Sequence, residues 1–107
     1  MANNYKNAKV SLTSADTTTV LTTSAGSTNV IKSILVAEYS GNADTIDLTL
    51  TDSASAVFNL FKVKAVGANT TVELLTQPLV LQGSEILKAT AATANRLHIV
   101  VSYLEIS

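Results

Sequence analysis

The residues able to do chemistry are few and scattered. His98 is the only histidine. A general base or a metal ligand needs partners at defined spacing, and the sequence names none for it. His98 alternates with Leu97 and Ile99, so it lies on the opposite face of a strand and reads as a surface or interface histidine. The densest carboxylates are Asp44, Asp47 and Asp52, with Glu38 nearby. Asp44 and Asp52 stand near opposite ends of one expected strand, roughly 25 Å apart at about 3.3 Å per residue. They cannot share a calcium ion at that separation, and no EF-hand spacing is present. These acids read as turn residues and as a solvated strand face. Serine and threonine abound, but the chain has no Gly-x-Ser-x-Gly turn and no base to activate a hydroxyl. It has only 4 glycines, and none builds a phosphate-cradling loop. Cysteine is absent, which removes disulfides, thiolate metal sites and thiol nucleophiles together. The expectation is a non-enzyme with no catalytic residues, no cofactor and no metal.

Binding residues are the remaining candidates. Tyr39 closes a long apolar segment beside the turn that holds Asn42, and this pair is the place for a glycan contact. There is no tryptophan to serve as a sugar platform. Phe58 and Phe61 share one apolar segment and are expected in the core. Lys62 and Lys64, in the same segment, should project from one face, where they blunt a sheet edge or pair across an interface. Residues 1–9 form a polar N-terminal arm carrying Tyr5, Lys6 and Lys9. An arm of this composition does not fold alone and is expected to order by adding to a neighbour's sheet. Tyr5, Lys6, Lys9, Lys62 and Lys64 are therefore the candidate assembly contacts.

The elements that position these residues follow a period of two. Residues 45–51 alternate polar and apolar, with Ile46, Leu48 and Leu50 inward and Thr45, Asp47, Thr49 and Thr51 outward. Residues 29–39 form a longer apolar run rich in β-branched side chains, which reads as a strand covered on both faces or with a buried outer face. The cluster Ser40-Gly41-Asn42-Ala43-Asp44 is a turn, so these two strands are expected to form a hairpin. Further short strands read at 8–12, 19–23, 57–63, 70–75, 85–90 and 96–106, and the last turns Leu97, Ile99, Val101 and Tyr103 to one face. Pro78 confines its segment to a strand start or a sheet edge. Eight or nine short strands with regular turns predict an all-β fold, a single antiparallel β-sandwich, jelly-roll-like.

Composition sets the outer bounds. The 107 residues leave room for one domain, 1–107. Charged residues are 14% and the net charge is −1, which excludes the basic stripe of a nucleic-acid binder and a polybasic membrane surface. No apolar run nears the roughly 20 residues needed to span a bilayer, and the start lacks a signal-peptide stretch. Threonine, serine and asparagine cover the surface instead of charge, which leaves little repulsion between copies. A homo-oligomeric subunit assembled in a cytoplasm is expected.

Several segments taken together carry a resemblance. They are the opening Met1-Ala2-Asn3-Asn4-Tyr5-Lys6-Asn7-Ala8-Lys9-Val10, then Ile31-Lys32-Ser33-Ile34-Leu35-Val36, Gly41-Asn42-Ala43-Asp44-Thr45-Ile46 and Phe58-Asn59-Leu60-Phe61-Lys62. The closing stretch runs Ala94-Asn95-Arg96-Leu97-His98-Ile99-Val100-Val101-Ser102-Tyr103-Leu104-Glu105. Over nearly its whole length the chain resembles small β-sandwich virion structural proteins of tailed bacteriophages, of the type found in phages of marine bacteria and cyanobacteria. The resemblance implies a virion component assembled in the host cytoplasm. Its implied partners are copies of itself and other virion proteins, such as the major capsid protein or neck and tail proteins. It does not fix the place in the particle; the expectation is a capsid decoration (cement) subunit, with a neck or tail accessory protein or a tail-borne glycan-binding module as alternatives. It transfers no functional residues.

Overall fold

The computed structural model describes residues 3–107 and holds nine β-strands. They are β1 (Asn3–Leu12), β2 (Thr18–Thr22), β3 (Thr28–Glu38), β4 (Asp44–Thr51), β5 (Val57–Val66), β6 (Thr71–Glu73), β7 (Leu79–Leu81), β8 (Ile86–Ala91) and β9 (Leu97–Ile106). The first sheet runs β1-β9-β3-β6, with β7 also on β3, and the second runs β2-β8-β4-β5. All pairings are antiparallel. The fold is the expected all-β sandwich of two antiparallel sheets.

One relation organises the pairing. Asn3 faces Ile106, Thr18 faces Ala89, Leu35 faces Glu73 and Thr51 faces Val57. Each pair straddles the turn between β4 and β5 almost symmetrically. The chain is thus one long antiparallel hairpin bent at residues 52–56 and then rolled, so that β9 also meets β3 and β8 also meets β4. That is the jelly-roll wrapping. β6 and β7 are two halves of one interrupted arm of the ribbon, both laid on β3. Pro78 stands just ahead of β7 at this sheet edge, as its missing amide requires.

The core lies between the sheets. Leu12, Ile31, Ile34, Val36, Leu97, Ile99 and Val101 from the first sheet meet Ile46, Leu48, Leu87 and Ala89 from the second, all essentially inaccessible. Burying a side chain of this size contributes about 1.5–3 kcal/mol.

The structure corrects several expectations. The 29–39 and 45–51 strands do not form a hairpin; β3 and β4 belong to different sheets, and the segment between them crosses over the end of the sandwich. Face-to-face packing buries Ile34 and Val36 against the opposite sheet, which side-by-side pairing would not do. β3 is not covered on both faces: Leu35 is 40% exposed. Its run looked two-sided because a bulge between Ile31 and Ser33 shifts the phase, so that Ile31 and Ile34 both point inward. Residues 3–9 are not a free arm; they belong to β1 and pair with β9 from Asn3 onward, while Met1 and Ala2 lie outside the described residues. Thr51 is buried rather than solvated. Phe58 is 54% exposed, because its row ends at the open margin of the second sheet, and Phe61 is half-buried against the core.

The pivot turn is held by one side chain. The Asp52 carboxylate accepts from the amides of Ala54 and Ala56, both at 2.9 Å. Asp52→Ala is expected to cost about 1 kcal/mol, read as a lower urea midpoint at unchanged slope. Asp16→Ala, at an exposed position outside the strands, should leave the midpoint unmoved.

Candidate functional site

The acidic residues form no cleft. Most are drawn to places where the backbone has lost a partner. Where β3 ends, Glu38 is 2% exposed and its carboxylate accepts from the amides of Ser40 (2.8 Å), Gly41 (3.0 Å) and Asn69 (3.0 Å), and from the Ser40 hydroxyl. This ties the crossover to the loop before β6. Gly41 supplies the left-handed backbone (φ 84°) that the crossover needs. At the β3 bulge, between the stretches paired with β6 and with β7, Glu73 accepts from Ile34 N at 2.7 Å, from Leu75 N at 3.2 Å and from the Ser33 hydroxyl. Asp47 accepts from Val63 N at 2.7 Å, where β5 turns left-handed at φ 54°. Asp44, buried, accepts from Thr93 N at 3.1 Å, and Glu85 accepts from Gln82 N at 2.7 Å. With Asp52, six of the eight acids serve backbone amides.

Electrostatics follow from these bonds. Burial by itself would raise the Glu38 carboxyl; the Ser40 hydroxyl and the amides of Asn69, Ser40 and Gly41 outweigh it and hold the pKa at about 2. Burial likewise pushes Glu73 upward, but the Ser33 hydroxyl and the amides of Ile34, Leu75 and Leu74 bring it below the usual carboxylate value. The Glu105 carboxylate, 2.9 Å from Lys6, raises that ammonium by hydrogen bond and charge.

The candidate contact residues fall into three separate places. Tyr5, Lys6 and Lys9 share β1, the edge strand of the first sheet. Tyr5 is 78% exposed, and Lys9 Nζ donates to Asn7 Oδ1 at 3.3 Å. Lys62 and Lys64 share β5, the edge strand of the second sheet, but not one face. The left-handed residue between them breaks the alternation, so Lys62 reaches Asp47 at 3.5 Å while Lys64 stands opposite the inward-facing Ile46. Tyr39 is 44% exposed, and its ring stacks on His98 with centroids 4.1 Å apart at 20°. Asn42 lies in the crossover, where its amide donates to Ser40 Oγ at 3.3 Å. His98 is exposed on the outer face of β9, as expected from its alternation.

Two shallow depressions run along β1. One, of about 280 Å³, is lined by Lys9, Val10, Ser11, His98, Ile99 and Val100. The other, of about 400 Å³, is lined by Tyr5, Lys6, Asn7, Lys32, Ser102 and Tyr103. Neither brings an acid and a base together. Among the described residues no three His, Asp or Glu side chains are grouped to hold a metal ion. A third depression, of about 360 Å³, has both Asp44 and Arg96 in its lining. Sequence reasoning missed Glu38 and Glu73 as backbone acceptors. A carboxylate ending an apolar strand immediately before Tyr39-Ser40-Gly41 was the available sign for Glu38.

No family model matches the chain, and no curated protein matches it. Among solved structures it is similar to a chain in the structure of infectious bursal disease virus Gt strain, at 9% identity and a TM-score of 0.41. The match covers 98% of this chain and 30% of that one.

The depressed Glu38 pKa has a signed consequence. The folded chain binds this proton less tightly than the unfolded chain, whose carboxyl titrates near 4.5. The stabilisation is complete above that value and is lost as pH falls toward about 2. Glu38→Gln sets an amide donor against backbone donors, so its denaturant midpoint should fall at neutral pH. Its stability should also decline less steeply through this acid window, as a pH series of urea titrations will show.

Proposed function

We propose that the chain is a non-enzymatic structural subunit of a tailed-phage virion, and within the particle a capsid decoration subunit bridging neighbouring capsid proteins. The observation that supports the non-enzymatic part is the use of the carboxylates: six of the eight are turned to backbone amides rather than to one another. The virion part is supported by the resemblance of the segments quoted above. The rolled hairpin is also an architecture that viral capsid domains use, which is a fold-level analogy. Weak surface charge suits a chain that works among many copies. On this reading the partners are further copies and the major capsid protein, the location is the virion, and assembly takes place in the host cytoplasm.

A neck or tail accessory role and a glycan-binding role compete with it. The Tyr39–His98 stack is the observation that favours a sugar contact, although His98 already covers one face of the ring. Quantitative peptide mass spectrometry on purified particles discriminates. The proposal expects a copy number comparable with that of the major capsid protein. A handful of copies would place the chain in the neck or tail, and absence from the particle would overturn the virion reading.

A further inference from the structure

Four edges bound the two sheets, and three of them are spoiled for strand addition. β2 loses register between Thr19 and Leu21. β5 loses it twice and turns left-handed at Val63. The far edge of the first sheet is divided between β6 and β7, of three residues each. Interruptions of this kind keep an edge from pairing with other chains. β1 has none. Its ten residues pair with β9 in unbroken register, from Asn3 opposite Ile106 to Leu12 opposite Leu97, without proline or bulge. Its other side is an open ladder.

Alternation sorts the side chains of this edge. Tyr103 and Val101 are buried, so their partners Lys6 and Ala8 stand in the inward rows. Tyr5, Asn7 and Lys9 then stand on the outer face beside Leu104, Ser102 and Val100. Lys6 is compensated by Glu105. Lys9 has no acidic partner among the described residues.

We infer that β1 pairs antiparallel with β1 of a second copy, about a two-fold axis at Asn7, joining the two first sheets into one. In a continuous sheet, opposed residues share a face, so the axis passes through a residue and not between two. An axis at Lys6 or Lys9 sets like charges directly opposite, which is unfavourable. An axis at Asn7 sets Tyr5 opposite the second copy's Lys9, twice by symmetry. It also sets Lys6 opposite Ala8, Asn4 opposite Val10 and Asn3 opposite Ser11. The strongly exposed ring thus receives the one uncompensated ammonium of the strand, a favourable cation–aromatic contact. An axis at Ala8 gives Tyr5 a serine instead and leaves both groups without that contact. The pairing is isologous, so it closes at two copies through this edge. It concerns the isolated protein and holds or fails independently of any place in a particle.

Size exclusion with light scattering on the purified chain should give twice the monomer mass. Tyr5→Lys places cations opposite each other twice and should weaken dimerisation on the order of tenfold. Asn7→Cys, in a chain with no cysteine of its own, should oxidise to a covalent dimer, whereas Ser11→Cys should not. Tyr5 and Asn7 are exposed, so circular dichroism should show all variants folded. A monomer at every concentration overturns the inference. So does an assembly whose mass ignores Tyr5→Lys, or one in which Asn7→Cys stays uncrosslinked.

Discussion

When a ribbon of strands bends, some backbone amides lose their ladder partners, and each must find another acceptor. In this chain the carboxylates supply them. Glu73 holds the amide freed at the β3 bulge, Asp47 holds the one freed at Val63, and Glu38 gathers three from the crossover and the loop beside it. Asp52 does the same at the turn on which the whole hairpin is folded. Without these acceptors the bends would leave unsatisfied donors, and the ribbon could not roll into two facing sheets at modest cost.

That constraint shapes the electrostatics as well as the fold. A carboxylate committed to amides is a weak proton acceptor, as the low Glu38 pKa shows. Glu73, held by the Ser33 hydroxyl and three amides, is lowered in the same way. The edges and outer faces of the described residues carry mostly hydroxyls, amides and a few lysines. The sheets bring the chain's ends together, Asn3 beside Ile106. Such long-range pairings make closure of the roll entropically demanding, and folding is expected to be slow for a domain of this size.

Much of this was legible in the sequence, and the failures have physical causes. The clean alternation of residues 45–51 located β4, and the alternation of residues 97–103 located β9 with its inward face. The register of the sandwich was hidden. Local turn signals favoured pairing neighbours in sequence, so β3 and β4 were read as a hairpin, whereas the roll pairs β3 with β9. Bulges were hidden too, because one inserted residue shifts the phase of a strand. Ile31 and Ile34 therefore looked like opposite faces, and Lys62 and Lys64 like one. The candidate contacts Tyr5 and Lys9 were found by composition, but their place on an unbroken edge strand depends on β9, nearly a whole chain length away. Glu38 also reaches Asn69 and Glu73 also reaches Ser33, 31 and 40 positions away, and these long-range bonds lie beyond any local pattern.

The most direct test of this account is nuclear magnetic resonance of the backbone amides across an acid titration. The amide protons of Ile34, Ser40, Gly41 and Asn69 should each shift as the carboxylate that holds them is protonated. Ser40, Gly41 and Asn69 should move together, with one midpoint near 2. Amide shifts that stay flat while the carboxylates titrate would contradict it, and would show that the bends are held by something other than the acids.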